Sequence, residues 1–105
     1  MKFLVSIKNR TGVRGPDDPV AAARATKKWL NSLLEDGTVD CAYNVVASDP
    51  IGGIAIINVD SHEALMEQLF AFPHFPYVDL QVLPLSDINH YFDKSIEIMQ
   101  KLAGK

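Results

Sequence analysis

The stretch AFPHFPYVDLQVLPL, residues 71–85, contains a change of hydrophobic period. The residues before it place apolar side chains at helical spacing, whereas residues 77–85 alternate. Val78, Leu80 and Val82 share one side of the alternation, and Tyr77, Asp79 and Gln81 share the other. A period of two is typical of a half-buried strand. The stretch therefore predicts a helix that ends and a strand that begins within a few residues.

Pro73 and Pro76 lie at this boundary. Proline breaks a helix and is tolerated at the start of an edge strand, which is one reason for their presence. They would also stiffen a wall of aromatic side chains, Phe72, Phe75 and Tyr77, as a binding pocket requires. The sequence leaves both roles open.

Alternation predicts three more strands, at residues 2–8, 38–48 and 54–60. The polar segment 9–18 is predicted to be a loop, and DPIGG at 49–53 a turn. A first helix is expected to start at the Asp18–Pro19 pair, to run to about Asp36 and to stop at Gly37. A second helix is expected after Asp60, which forms a capping-box pattern with Glu63, and a third from Asp87 to about Leu102.

The resulting order is β-α-β-β-α-β with an extra C-terminal helix, which is typical of a ferredoxin-like α+β fold. Residues 1–105 are expected to form a single domain. Right-handed crossovers predict a four-stranded antiparallel sheet in the order 4-1-3-2. Both internal helices then cover one face of the sheet and leave the other bare.

The two faces of the predicted sheet differ in composition. The face assigned to the helices is apolar and includes Phe3, Val5, Ile7, Val39, Cys41, Tyr43, Val45, Val78, Leu80 and Val82. Tyr43 could donate its hydroxyl to a substrate, but its apolar neighbours favour a place in the core. The opposite face is mixed, with Leu4, Ser6, Ala42, Asn44, Val46, Asp79, Gln81 and Leu83. Its low charge predicts a homodimer through this face; a monomer with a half-polar outer face is the alternative.

Composition excludes several classes of protein. The net charge of −3 argues against a nucleic-acid partner, because phosphates require a basic face. No stretch approaches the ~20 apolar residues of a membrane span, and the N-terminus lacks the features of a signal peptide. Cys41 is the only cysteine, so no internal disulfide can form, and it is expected to be a buried, inert thiol. A cytoplasmic location is expected.

The segment SHEALMEQLFAFPHFPYVDLQVLPL, residues 61–85, resembles the muconolactone isomerase family. The matching pattern is a helix of the S-x-E-A-L type followed by P-x-F-P-Y, an apolar residue, Asp, and Val82 three residues later. A weaker match extends to EDGTV at 35–39. The resemblance implies a subunit of the dimeric α/β-barrel kind, self-assembly into dimers or rings of dimers, and an isomerase that moves a proton on a small lactone or organic acid.

Several polar residues are predicted to gather at one end of the sheet, where the first strand ends, the hairpin turns and the last strand begins. They are Arg10, Arg14, Ser48, Asp49, His74, Tyr77 and Asp79. Asp79 is the preferred base because it is the carboxylate of the matching motif, and the alternative is a structural ion pair with Lys2 or Lys8. His74 is the second candidate for acid–base chemistry. Tyr77, Arg10, Arg14 and Phe75 are expected to contact the substrate.

No metal or cofactor is expected. His62, His74 and His90 are isolated and show no ligand spacing, and the sequence contains neither a phosphate-binding glycine loop nor a C-x-x-C motif. Two interpretations remain: a cofactor-independent isomerase, or a non-catalytic oligomeric module that binds a small molecule or packs with itself. A pocket lined by Asp79 and Tyr77 would favour the enzyme.

Overall fold

The computed structural model describes residues 1–46 and 49–104. Its elements are β1 (Lys2–Asn9), α1 (Pro19–Asp36), β2 (Val39–Val45), β3 (Gly52–Asn58), α2 (His62–Ala71), β4 (Val78–Leu85) and α3 (Ile88–Ala103), with a short 3-10 turn at Phe75–Tyr77. The strands pair in the order β2-β3-β1-β4, and every neighbouring pair is antiparallel. The predicted α+β class and strand order are confirmed.

The ends of the helices follow from local chemistry. Asp18 caps α1 by accepting a hydrogen bond from the backbone N–H of Ala21, and Gly37 ends the helix at a φ of 84°. Both were predicted. The expected cap of α2 at Asp60 is wrong, because Ser61 accepts the hydrogen bond from the N–H of Ala64 instead. The helix therefore begins one residue later than the capping-box pattern placed it.

A β-bulge at Asp40 interrupts the pairing of β2 with β3. Val39 lies opposite Ile57, and Cys41, which is two residues further along β2, lies opposite Ile56, which is only one residue away from Ile57 on β3. One residue of β2 is therefore extra, and an extra residue inverts the alternation of every side chain that follows it.

The predicted faces of β2 are wrong beyond the bulge. Ala42, expected on the mixed face, packs against the core. Cys41, Tyr43 and Val45 were expected on the helix-covered face, but the register aligns them with the opposite face of the sheet. Tyr43 is 66% exposed, and Cys41 is only partly buried. The reason is the bulge, which alternation alone does not reveal.

The core lies between the sheet and the helices α1 and α2. Its buried cluster comprises Phe3, Val5, Leu33, Val39, Ile57, Val59 and Leu65. On α1 the apolar residues are buried only towards the C-terminal half, where Leu33 lies in the core, whereas Val20 is 61% exposed. On α2, Leu65 is buried, but Met66 and Phe70 are exposed. The first half of α1 thus covers the sheet without filling the space beneath it.

The other side of the sheet, which we call the outer face, is not covered by any helix or strand in the part of the chain that the structure describes. Its apolar side chains are Leu4, Cys41, Tyr43, Val45, Ile54, Ile56, Leu83 and Leu85. An ion pair joins Lys2 to Asp40. The face is therefore mixed: apolar side chains run across all four strands, and they share the face with Lys2, Ser6, Lys8, Asn58, Asp79 and Gln81.

Helix α3 extends away from the rest of the domain. None of its residues is buried, and its apolar stripe is exposed at Ile88, Tyr91, Phe92, Ile96, Ile98, Met99 and Leu102. The radius of gyration is 17.8 Å, whereas a compact chain of this length has a value of about 13 Å. In the described residues, no helix combines the length and hydropathy needed to cross a bilayer.

Candidate functional site

Three chain segments meet at one end of the sheet, as the topology predicts. The backbone N–H of Asn9 donates to the carbonyl oxygen of Ile51 at 2.9 Å. The N–H of Arg10 donates to the carbonyl oxygen of Tyr77, also at 2.9 Å. These two bonds tie the end of β1 to the β2–β3 connection and to the entry of β4.

A polar cavity of about 320 Å³ lies at this junction. Arg10, His74 and Tyr77 supply its functional groups, and its remaining walls are formed by Asn9, Val13, Gly15, Pro16 and Pro19. Pro19 is the first residue of α1, and the first turn of that helix carries no acidic side chain. The Asp18 carboxylate already caps this helix N-terminus, so the cation that lines the cavity is Arg10, and a guanidinium favours an anionic group such as a carboxylate.

Two hydrogen bonds orient the guanidinium of Arg10. Its Nε donates to Oδ1 of Asp79 at 3.0 Å, and its Nη2 donates to the carbonyl oxygen of Val78 at 3.0 Å. The Asp79 side chain is 69% exposed. An exposed pair of this kind contributes only about 0.2–1 kcal/mol to stability, so its main effect is to hold the direction of the guanidinium.

Asp79 lines neither the polar cavity nor the second cavity described below, so neither cavity is the predicted pocket lined by both Asp79 and Tyr77. Its partner is Arg10, rather than Lys2 or Lys8. Asp79 therefore forms a structural ion pair, which was the alternative to a role as base, but the cation is Arg10.

His74 is half-buried between two aromatic rings and α1. Its Nδ1 lies 2.5 Å from Oγ1 of Thr26. The ring centroids of Phe72 and Tyr77 lie 5.9 and 6.4 Å from that of the imidazole. If Nδ1 donates its proton to Thr26, then Nε2 is an unprotonated base; with the reverse direction, Nε2 is a proton donor. Either tautomer leaves Nε2 without a hydrogen-bond partner among the described residues.

A second cavity, which we call the apolar cavity, has a volume of about 530 Å³ and lies between α1 and the helix-covered face of the sheet. Its walls include Val5, Ile7, Leu30, Leu69 and Trp29. The indole of Trp29 stacks on Phe72 with the ring centroids 5.3 Å apart. Asn9 and His74 line both cavities and so form their common boundary.

Small residues leave room for the apolar cavity. Ala42, Gly53 and Ala55 line it from the sheet, and Ala23 lines it from α1. Larger side chains at these positions would fill the space. Alternation did not predict this cavity, because without the bulge in β2 it places Ala42 on the mixed face. The run of small residues on one face of a hairpin is the signal that could have revealed it.

Other predicted site residues lie elsewhere. Arg14 pairs with Asp17, and both side chains are 87% exposed. Phe75 packs edge-on against Phe70, with the centroids 5.1 Å apart, and lines neither cavity. Asp49 is exposed, and Ser48 lies outside the described residues.

Among the described residues, no three side chains of the His, Cys, Asp or Glu type are grouped as metal ligands. The side chains that line the polar cavity supply an imidazole, a phenol and a guanidinium. Together these groups can bind an acid and exchange a proton with it.

Comparison with known proteins relates the chain to enzymes of small-molecule metabolism. The family model described as muconolactone delta-isomerase matches residues 1–90. A crystal structure of muconolactone isomerase superposes with a TM-score of 0.68 at 26% identity, over 83% of this chain and 90% of that one. A search of curated protein sequences gives no match.

A second solved structure shares the fold. It is 5-chloro-2-hydroxyhydroquinone dehydrochlorinase from Burkholderia phenoliruptrix, in complex with 2,5-dihydroxybenzoquinone. Its TM-score is 0.65 at 17% identity, over 86% of this chain and 98% of that one. At this identity the likeness extends to the fold alone.

Proposed function

The chain belongs to the muconolactone delta-isomerase family, and from this membership we propose that it is a cofactor-independent isomerase that moves a proton on a small lactone or organic acid. The observation that carries the proposal is the position of His74, which lines the polar cavity together with Arg10, whose guanidinium is held by Asp79. The muconolactone isomerase structure, at 26% identity, supports an enzyme of this kind without fixing the substrate.

In the proposed reaction, Arg10 binds the carboxylate of the substrate, and Asp79 keeps the guanidinium in place. The reaction requires the tautomer in which Nδ1 of His74 donates to Oγ1 of Thr26, because Nε2 is then free to act as the base. Nε2 removes a proton from a carbon beside the substrate carbonyl, and the electron pair moves into an enolate. The same nitrogen returns the proton to a carbon further along the conjugated system. One C–H bond breaks, another forms and the double bond shifts.

Tyr77 and Asp79 have supporting roles in this scheme. The phenol of Tyr77 lines the polar cavity beside His74, where its O–H can donate to the enolate oxygen. Asp79 was the preferred base on sequence grounds, but its exposure and its bond to Arg10 favour a positioning role. We therefore assign proton transfer to His74.

Proton transfer can be tested without knowledge of the final product. In D₂O, wild-type protein is expected to introduce deuterium into muconolactone or a related unsaturated lactone. NMR measures the rate of this incorporation. His74→Gln should slow the exchange by about 10²-fold or more, because the general base is removed. Asp79→Asn should raise KM more than it lowers kcat. His90→Gln, on exposed α3, is the matched control.

Opposite results would reassign the mechanism. If His74→Gln exchanges deuterium at the wild-type rate and Asp79→Asn does not exchange it, Asp79 is the base. Binding of acids with no exchange by any variant would instead support the second candidate, a non-catalytic module of the same fold.

Self-association is part of the proposal in either case. The outer face leaves Tyr43 at 66%, Val45 at 43% and Leu83 at 44% exposure, and such apolar surface favours a symmetric partner. We propose a homodimer through this face, which could assemble further into a ring of dimers.

A further inference from the structure

The apolar cavity is larger than the volume of a compact acid. Its volume of about 530 Å³ adds to the 320 Å³ of the polar cavity. Cavities of roughly 300–1,000 Å³ are typical of sites that enclose drug-sized ligands. A lactone of a few carbons held at Arg10 would occupy the polar cavity and leave the larger space unused.

The walls of the apolar cavity suit a flat ring. Trp29 and Phe72 stack on each other and present an aromatic wall, while Val5, Ile7 and Leu69 line the space with carbon. Aromatic side chains interact favourably with other rings through offset stacking or edge contacts. This lining provides hydrophobic contact but few hydrogen bonds for a polar substrate.

The two cavities meet at the residue to which we assign the chemistry. His74 and Asn9 line both, so a molecule that passes their common boundary would place its middle at the imidazole. An acidic group on one side would reach Arg10, and a ring on the other side would lie near Trp29. The order acid, reacting carbon, ring follows from this arrangement.

We propose that the substrate is an amphipathic carboxylic acid whose aromatic-sized ring system occupies the apolar cavity while its carboxylate binds Arg10. The inference rests on the proposed function, because it takes His74 as the reacting group. It adds a substrate class: acids that carry a bulky apolar ring rather than compact lactones alone.

The only tryptophan of the chain lines this cavity and reports on its occupancy. 2-Naphthoate serves as the probe, acetate as the carboxylate without a ring, and naphthalene-2-carboxamide as the ring without a charge. We expect 2-naphthoate to change the fluorescence of Trp29 and, by calorimetry, to bind at least about tenfold more tightly than either comparison compound. Equal affinity for acetate and 2-naphthoate would overturn the inference.

Three variants locate the probe. Ala23→Leu adds volume from α1 into the apolar cavity and should weaken 2-naphthoate binding at least about tenfold, whereas Ala21→Leu, on the same helix but outside the cavity, is the control. Arg10→Met should weaken 2-naphthoate but not the carboxamide. Circular dichroism checks that each variant folds.

Other outcomes separate this inference from the proposed function. Lys27 is the other cation that lines the apolar cavity. If Lys27→Met weakens 2-naphthoate binding and Arg10→Met does not, the carboxylate does not bind Arg10 and the proposed orientation of the ligand is wrong. Deuterium exchange on a lactone without 2-naphthoate binding would keep the isomerase and overturn the ring site. Binding at Trp29 without exchange would keep the ring site and overturn the isomerase.

Discussion

Leu83→Asp tests whether the outer face is an interface between two copies of the chain. Leu83 lies on the edge strand β4 opposite Leu4 of β1, among the apolar side chains of the outer face, and is 44% exposed. The substitution places a carboxylate where a partner copy would otherwise cover a leucine. Burial of an unpaired charge is strongly unfavourable, so the dimer should weaken.

A lower limit for the effect follows from the exposed area. Complete burial of a leucine side chain contributes about 1.5–3 kcal/mol, so covering the remaining 44% of Leu83 contributes roughly 0.7–1.3 kcal/mol. A two-fold interface contains the residue twice, which doubles the figure to about 1.3–2.6 kcal/mol. At about 1.4 kcal/mol for each factor of ten, the dissociation constant should rise at least about tenfold to seventyfold.

Sedimentation velocity over a range of concentrations measures this constant. Wild-type protein at micromolar concentration should have at least twice the monomer mass of 11.6 kDa. Leu34→Asp is the matched control, because Leu34 is 37% exposed but lies on α1, away from the outer face. A monomeric wild type, or equal dissociation constants for the Leu83 and Leu34 variants, would refute the outer-face dimer.

Three further predictions concern stability. Gly37→Val should lower the free energy of unfolding by about 1 kcal/mol or more in urea titration, because φ is 84° there, and Gly37→Asn should cost less; equal losses would contradict this. Gly52→Ala should lower the melting temperature markedly, because the added Cβ would lie 2.3 Å from the carbonyl oxygen of Ile7 in β1; an unchanged melting temperature would contradict this register. Hydrogen bonds from the hydroxyl and, to a smaller extent, the backbone N–H of Thr38 lower the pKa of Asp36, so the ionised carboxylate stabilises the fold above its unfolded-state pKa and this contribution is lost as pH falls through the folded-state pKa. Asp36→Asn should therefore reduce the loss of unfolding free energy at acid pH, and an unchanged loss would count against the assignment.

Local patterns in the sequence were sufficient for the fold. The helix α1 begins at Pro19 and is terminated by Gly37 because of the backbone preferences of these two residues, and the Pro73–Pro76 segment separates a helix from a strand. These effects act within a few residues, and the chain order of strands and helices then restricts the topology to very few arrangements. The antiparallel order β2-β3-β1-β4 is the outcome.

The candidate site was predictable only in part. The topology brought Arg10, His74 and Tyr77 to one end of the sheet, as expected, because strand ends meet there. The direction of each side chain was not predictable: Arg14 pairs locally with Asp17 in the loop. A loop has no period from which a direction can be inferred.

The sequence by itself determined which segments are helices and strands, where each helix stops and how the strands are ordered, since these depend on local backbone preference and on the rules of chain connection. Only the tertiary structure decided which side of the sheet Tyr43 occupies and where the chain leaves space. The bulge at Asp40 is a property of the pairing between two strands, so it is not encoded in the alternation of either one. The apolar cavity is lined by Ala23 of α1 and by Ala42 and Ala55 of the sheet, and a space between such small residues exists only once distant segments are packed together.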